Sequence, residues 1–173
     1  FIIARTDAMG AVGGSKEEAI ERCKRYAHAG ADCIWPEFPT PNRRDAEMFA
    51  QTIQKDYPGL PMLFNYSSSF RWIDEDEPLT FSELGEMGYK IIVVSLGAIH
   101  ASMFAEWNFL KDLSDNQEIA QLNLQRLKDG HPTENHHEMG RFEHFRELER
   151  KYVPSDIIEE RYSGTTGYGS YES

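Results

Sequence analysis

Cysteine is scarce in this chain: 173 residues hold only Cys23 and Cys33, with no CxxC spacing, which excludes a disulfide framework and a zinc-thiolate site. Both fall within apolar patterns, Cys23 on a helix face and Cys33 at the start of an apolar run, and are read as core. Basic charge is also short, with 18 Lys and Arg against 29 Asp and Glu for a net charge of −11 and no long basic run. Contacts to a nucleic-acid backbone have nothing to rest on. Apolar runs are short as well. None approaches the ~20 residues of a membrane helix, and no charged-then-apolar leader opens the chain. The composition therefore points to a protein of a reducing, cytoplasmic compartment, with neither nucleic acid nor membrane as partner. Phe1 already lies inside an apolar run, so sequence is expected upstream of it.

What is present is a beat. Phe1 to Ala4 (FIIA), Cys33 to Trp35 (CIW), Pro61 to Phe64 (PMLF) and Ile91 to Val94 (IIVV) are apolar runs whose starts lie roughly thirty residues apart, the length of a strand-plus-helix unit. Helical signatures lie between them. Ser15 with Glu18 forms a capping-box pattern before a face of Ala19, Ile20, Cys23, Tyr26 and Ala27. Asn42 can cap a helix with Ala46, Phe49, Ala50 and Ile53 on one face, and Thr80 with Glu83 caps a short one ending at Gly88. Ala98 to Leu113 follows, rich in aromatic residues read as packing. From Ser114 the character changes to two further amphipathic helices, one within residues 115–130 and one at Phe142 to Tyr152, and a glycine- and hydroxyl-rich end, SGTTGYGSYES, expected to be irregular. His136, His137 and Glu138 are adjacent on a helical pattern and point apart, so they do not make a ligand pair.

Continuous apolar strands alternating with helices give an α/β fold with a parallel sheet covered by helices. The choice lies between an open doubly wound sheet and the second half of a (β/α)8 barrel over residues 1–113, with a helical C-terminal extension over 114–173. GAVGG is not followed by GxGxxG chemistry, which weighs against a dinucleotide sheet. Polar residues stand behind all four apolar runs: Arg5, Glu37, Asn65 with its serines, and Ser95. In a barrel those strand ends converge on one mouth.

The stretch LFNYSSSFRW, residues 63–72, is the richest of these. Arg5 offers a planar fork that fits a carboxylate with two bonds. Asn65, Ser67 and Ser69 alternate, and on an extended segment alternate residues face one side, so they can close around one anionic group without adding titrating groups. Glu37 can orient Arg5 or help place a metal-bound water, while Tyr66 and Ser68 are supporting residues. The pocket expected from these residues takes a small di- or tricarboxylate.

IIARTDA, GADCIWPE with TP after it, NYSSSF followed by Trp72, SLGAIH, HHEMG and SGTTGYGSY resemble successive blocks of isocitrate lyases, in the superfamily that also holds phosphoenolpyruvate mutase and methylisocitrate lyase. The family's usual NCSPS is matched at Asn65, Ser67 and Ser69 and departed from at Tyr66 and Ser68, and Ser95 stands where the family has threonine. The resemblance implies a magnesium-dependent (β/α)8 barrel cleaving isocitrate to glyoxylate and succinate in the glyoxylate cycle. Arg5 would bind substrate carboxylates, and Asn65, Ser67, Ser69 and Ser95 the succinate part. The family's KKCGH motif, whose cysteine is thought to protonate succinate, is not in this sequence, so no catalytic residue and no metal ligand is assigned here and the magnesium ligands are expected upstream. The family also implies a homotetramer with C-terminal helices exchanged between subunits. Two alternatives stay open: a superfamily lyase for another 2-hydroxy or 2-oxo acid such as 2-methylisocitrate, and an inactive half-barrel serving in binding or assembly.

Overall fold

The computed structural model describes residues 1–163; the glycine-rich end from residue 164 lies outside the described residues. The chain divides into two compact units, Phe1–Glu106 and Trp107 onward.

The first unit is four βα repeats. Strands β1 (Ile3–Thr6), β2 (Cys33–Pro36), β3 (Met62–Asn65) and β4 (Tyr89–Val93) form one parallel sheet in the order β1-β2-β3-β4. Each strand neighbours its predecessor, with no reversal of order. Helices α1 (Lys16–His28), α2 (Arg43–Asp56) and α3 (Phe81–Met87) connect them, and α4 (Gly97–Asn116) leads out of the last strand.

The helices start where short polar side chains satisfy their first free N–H groups. Asn42 accepts from the Asp45 N–H, and Thr80 and Glu83 form a reciprocal capping box. At α1 only half of the expected box forms. Ser15 accepts from the Glu18 N–H, but the Glu18 carboxylate turns to Arg22, one helical turn on, at 2.9 Å and 2.5 Å. An ion pair on the helix surface has displaced the reach back to the cap.

Strand register sorts the side chains. Ala4 pairs with Ile34, Ile34 with Met62, and Phe64 with Ile92, so these positions share one face. That face packs on Ala19 and Cys23 of α1, Ala46, Phe49 and Ile53 of α2, and Leu84 of α3. Phe38 and Phe64 stack at 5.3 Å between centroids, and Tyr89 meets Phe64 edge-on at 5.3 Å, its hydroxyl donating to the Ala46 carbonyl at 3.0 Å. Burial pushes the Cys23 thiol up to about 12, which leaves it protonated and inert, as its core assignment requires.

The opposite face carries Ile3, Cys33, Leu63 and Ile91, and then, at the carboxyl ends, Arg5, Trp35 and Asn65. Its outer members are open: Ile3 is 40% exposed and Ile91 partly so.

The second unit is helical, with α5 (Glu118–Lys128), α6 (His136–Met139), α7 (Phe142–Tyr152) and α8 (Ser155–Tyr162). Gln117, at φ 54°, breaks the path between α4 and α5. Among its described residues only Ala120 is a buried apolar side chain.

Candidate functional site

Arg5, expected at the end of the first strand, lies inside β1, which runs on past the apolar run to Thr6, with Arg5 and Thr6 paired with Trp35 and Pro36. Its guanidinium lies over the Trp35 ring at 4.3 Å from the centroid. A two-pronged bond holds it to Asp7, with Nε to Oδ2 at 3.1 Å and Nη2 to Oδ1 at 2.7 Å. The bond from Arg5 holds the Asp7 carboxyl below its ordinary range. The arginine is thus pre-oriented by a stacking plane below and a carboxylate beside it.

Glu37 joins the two halves of the site. It follows β2, where its N–H extends the ladder to the Thr6 carbonyl at 2.9 Å. Its carboxylate accepts from Trp35 Nε1 at 2.9 Å and from Asn65 Nδ2 at 2.8 Å, and stands 3.6 Å from Arg5 Nη2. One acidic side chain therefore fixes the orientation of both the arginine and the asparagine. The Asn65 amide oxygen is buried and has no hydrogen-bond partner. A buried acceptor left empty in a polar site is what a water or a ligand hydroxyl satisfies.

The serines do not follow the expected alternation. Only Asn65 belongs to β3, and Ser67 to Phe70 form a turn closed by the Phe70 N–H to the Ser67 carbonyl at 3.1 Å. Trp72 Nε1 donates to the same carbonyl at 2.8 Å. Two donors therefore converge on one oxygen in the turn. Within it the buried Ser67 hydroxyl accepts the Ser69 N–H at 3.2 Å, leaving its own proton to donate, while Ser69 is exposed. Tyr66 points the other way, stacked on Trp72 at 3.7 Å and 6° and edge-on to Phe81 at 5.1 Å, so it braces the turn from behind.

Ser95 lies two residues beyond β4, and its carbonyl accepts the Ser68 N–H at 2.9 Å. Leu96 then adopts φ 62°, a left-handed backbone that costs a non-glycine residue about 1–2 kcal/mol. The structure thus makes two linked groups, Arg5–Glu37–Asn65 and Ser67–Ser68–Ser69–Ser95, joined through the chain at Tyr66. Three partners escaped sequence reasoning. Asp7, one residue past β1, is signalled by its i+2 spacing from Arg5, and Trp35 by strand register. His100, whose ring Nδ1 stands 3.0 Å from the Ser68 hydroxyl, closes the SLGAIH block, but nothing local signals its contact with Ser68.

Arg5, bonded to Asp7 through Nε and Nη2 and with Glu37 beside it, has further guanidinium donors to offer, and Asn65 and the serines supply neutral donors, so the site can hold a carboxylate. As a magnesium site the described residues do not fit. No group of three His, Cys, Asp or Glu stands together among them, and the two strand-end carboxylates, Asp7 and Glu37, are already taken by Arg5, Trp35 and Asn65.

The isocitrate lyase family model matches residues 4–138. An isocitrate lyase of Haloferax volcanii is 42% identical over 153 residues, covering 88% of this chain and 44% of that protein. An isocitrate lyase 1 of Mycobacterium tuberculosis is 32% identical over 113 residues, 63% of this chain and 26% of its own length, and an isocitrate lyase of Escherichia coli is 39% identical over 92 residues, 51% and 21%. The matches span less than half the length of these curated relatives.

Proposed function

Since this chain belongs to the isocitrate lyase family, we propose that it forms the carboxylate-binding half of a lyase that cleaves isocitrate reversibly to glyoxylate and succinate. The observation that carries the proposal is the single Glu37 carboxylate that orients both Arg5 and Asn65 beside the serine turn.

Cleavage removes the proton of the isocitrate hydroxyl and breaks a carbon–carbon bond. Glyoxylate leaves, and the electron pair stays on a carbon next to a succinate carboxylate, where a proton is then returned. Charge therefore grows on that carboxylate in the transition state, and donors already aimed at it lower the barrier. Arg5 supplies the charge, and Asn65 Nδ2 and the hydroxyls of Ser67, Ser69 and Ser95 supply the remaining bonds. Glu37 keeps Arg5 and Asn65 in place and takes no part in the proton transfers assigned here. The acid and the base are placed outside this chain.

The proposal includes the barrel. The strands are apolar on both faces, yet α1, α2 and α3 pack on only one of them, so the Ile3 and Ile91 face is assigned to the interior of a closed (β/α)8 barrel. It also includes magnesium held by residues beyond this stretch, a cytoplasmic place in the glyoxylate cycle, and a homotetramer that covers the exposed Met103, Phe104, Trp107 and Leu110 of α4.

The test uses the full native chain with isocitrate or 2-methylisocitrate and identifies the products. Glyoxylate and succinate from isocitrate are expected, abolished by a chelator and restored by magnesium, with no pyruvate from 2-methylisocitrate. Pyruvate at a comparable rate transfers the site to the methyl-substituted acid. No cleavage of either substrate leaves a protein that binds acids without breaking them.

A further inference from the structure

The turn that carries Ser67 and Ser69 is fastened to the next strand end by one residue. Ser68 reaches the β4–α4 junction twice, with its N–H on the Ser95 carbonyl at 2.9 Å and its hydroxyl 3.0 Å from His100 Nδ1. The second contact spans 32 residues of chain. The junction is itself held, because the His100 N–H donates to the Leu96 carbonyl at 2.9 Å while Leu96 sits at φ 62°. Ser95 and His100 therefore bracket a strained residue, and Ser68 touches both. The ring contact does not depend on one tautomer. With the proton on Nε2 the histidine accepts from the hydroxyl, and with a proton on Nδ1 it donates to it.

We propose that Ser68 and His100 are a positioning pair: they lock the serine turn to the β4–α4 junction, so that Ser67 and Ser69 on one loop and Ser95 on the other meet the same carboxylate. The inference rests on the carboxylate site proposed above. Neither residue needs to touch the ligand. Their work is to keep two loops, which share no other side-chain hydrogen bond among the described residues, at one spacing.

Two readouts on the full native chain test the pair. Ser68→Ala and His100→Ala should each weaken inhibition by succinate about two- to tenfold, the range of one net hydrogen bond, while inhibition by glyoxylate stays put. The double variant should be no worse than either single, and Ser68→Thr and His100→Asn should hold near the wild type. Independently of turnover, amide hydrogen exchange should quicken in both residues 66–70 and 95–100 in either alanine variant. Additive losses in the double variant, equal shifts for succinate and glyoxylate, or unchanged exchange in both segments would overturn the pair. Failure of the two proposals is separable. No glyoxylate from isocitrate with quickened exchange removes the substrate and keeps the pair, whereas turnover with unchanged exchange keeps the substrate and removes the pair.

Discussion

Both units of the chain carry amphipathic helices, and they differ in how those helices are capped and in what they bury. Through Glu106, the capped helices α1 and α2 place Cys23, Phe49 and Ile53 fully out of solvent against the sheet. From Trp107 onward the helices carry apolar faces as well, but a side chain caps only the four-residue α6, where Asn135 accepts from the His137 and Glu138 N–H groups, and α5, α7 and α8 start without one. Yet Leu127 is 79% exposed, Tyr152 71%, and Phe145 58%. Caps and periodicity form a helix, but only an apolar partner surface turns its face into stability. In the first unit the sheet is that partner.

Paired substitutions sharpen the contrast in urea unfolding of the full native chain. Phe64→Ala removes a ring packed among Phe38, Tyr66, Trp72 and Tyr89 and should cost about 3–5 kcal/mol, against less than about 0.5 kcal/mol for Leu127→Ala. A comparable loss at Leu127 would break the comparison by revealing a covered face in the second unit. Tyr89→Phe deletes the buried bond to the Ala46 carbonyl and should cost about 1 kcal/mol, whereas Tyr152→Phe should be neutral.

The smallest effect is a pH dependence. Bonds from Arg43, then from Thr80, bring the Glu83 carboxyl from 4.5 down to about 2. A depressed folded-state value means that this stabilisation is complete above about 4.5 and is lost as pH falls through about 2. Glu83→Gln should therefore lower the melting temperature at neutral pH, with the gap to the wild type closing between those two values. On the second unit, Asp115→Asn, which breaks the exposed pair with Lys111, should leave melting nearly unchanged at any pH. A gap for Glu83→Gln that persists unchanged at pH 2 would contradict the pairing.

Much of this was legible in the sequence because it is local. The apolar runs located every strand to within two residues, and Asn42 and Thr80 marked their helix starts correctly. Arg5 and Asn65 were legible as strand ends, and both remain in the ladder, where they pair with Trp35 and Val93. The serines misled. Alternation presumes an extended backbone, and the chain instead turns at Ser67, whose carbonyl accepts from the Phe70 N–H and from the indole of Trp72, five residues on. The contact between Ser68 and His100 lies beyond any local pattern, because only the parallel pairing of β3 with β4 brings them together.

The most direct measurement of the central claim is kcat/KM for glyoxylate release from isocitrate by the full native chain, beside its Ser67→Ala variant. Ser67 is buried in the turn and keeps a hydroxyl proton to donate. The account predicts turnover by the wild type and a loss of about ten- to a hundredfold in the variant, the range for one hydrogen bond to a charged group. Wild-type turnover matched by the variant would take the serine turn out of the site and contradict the account.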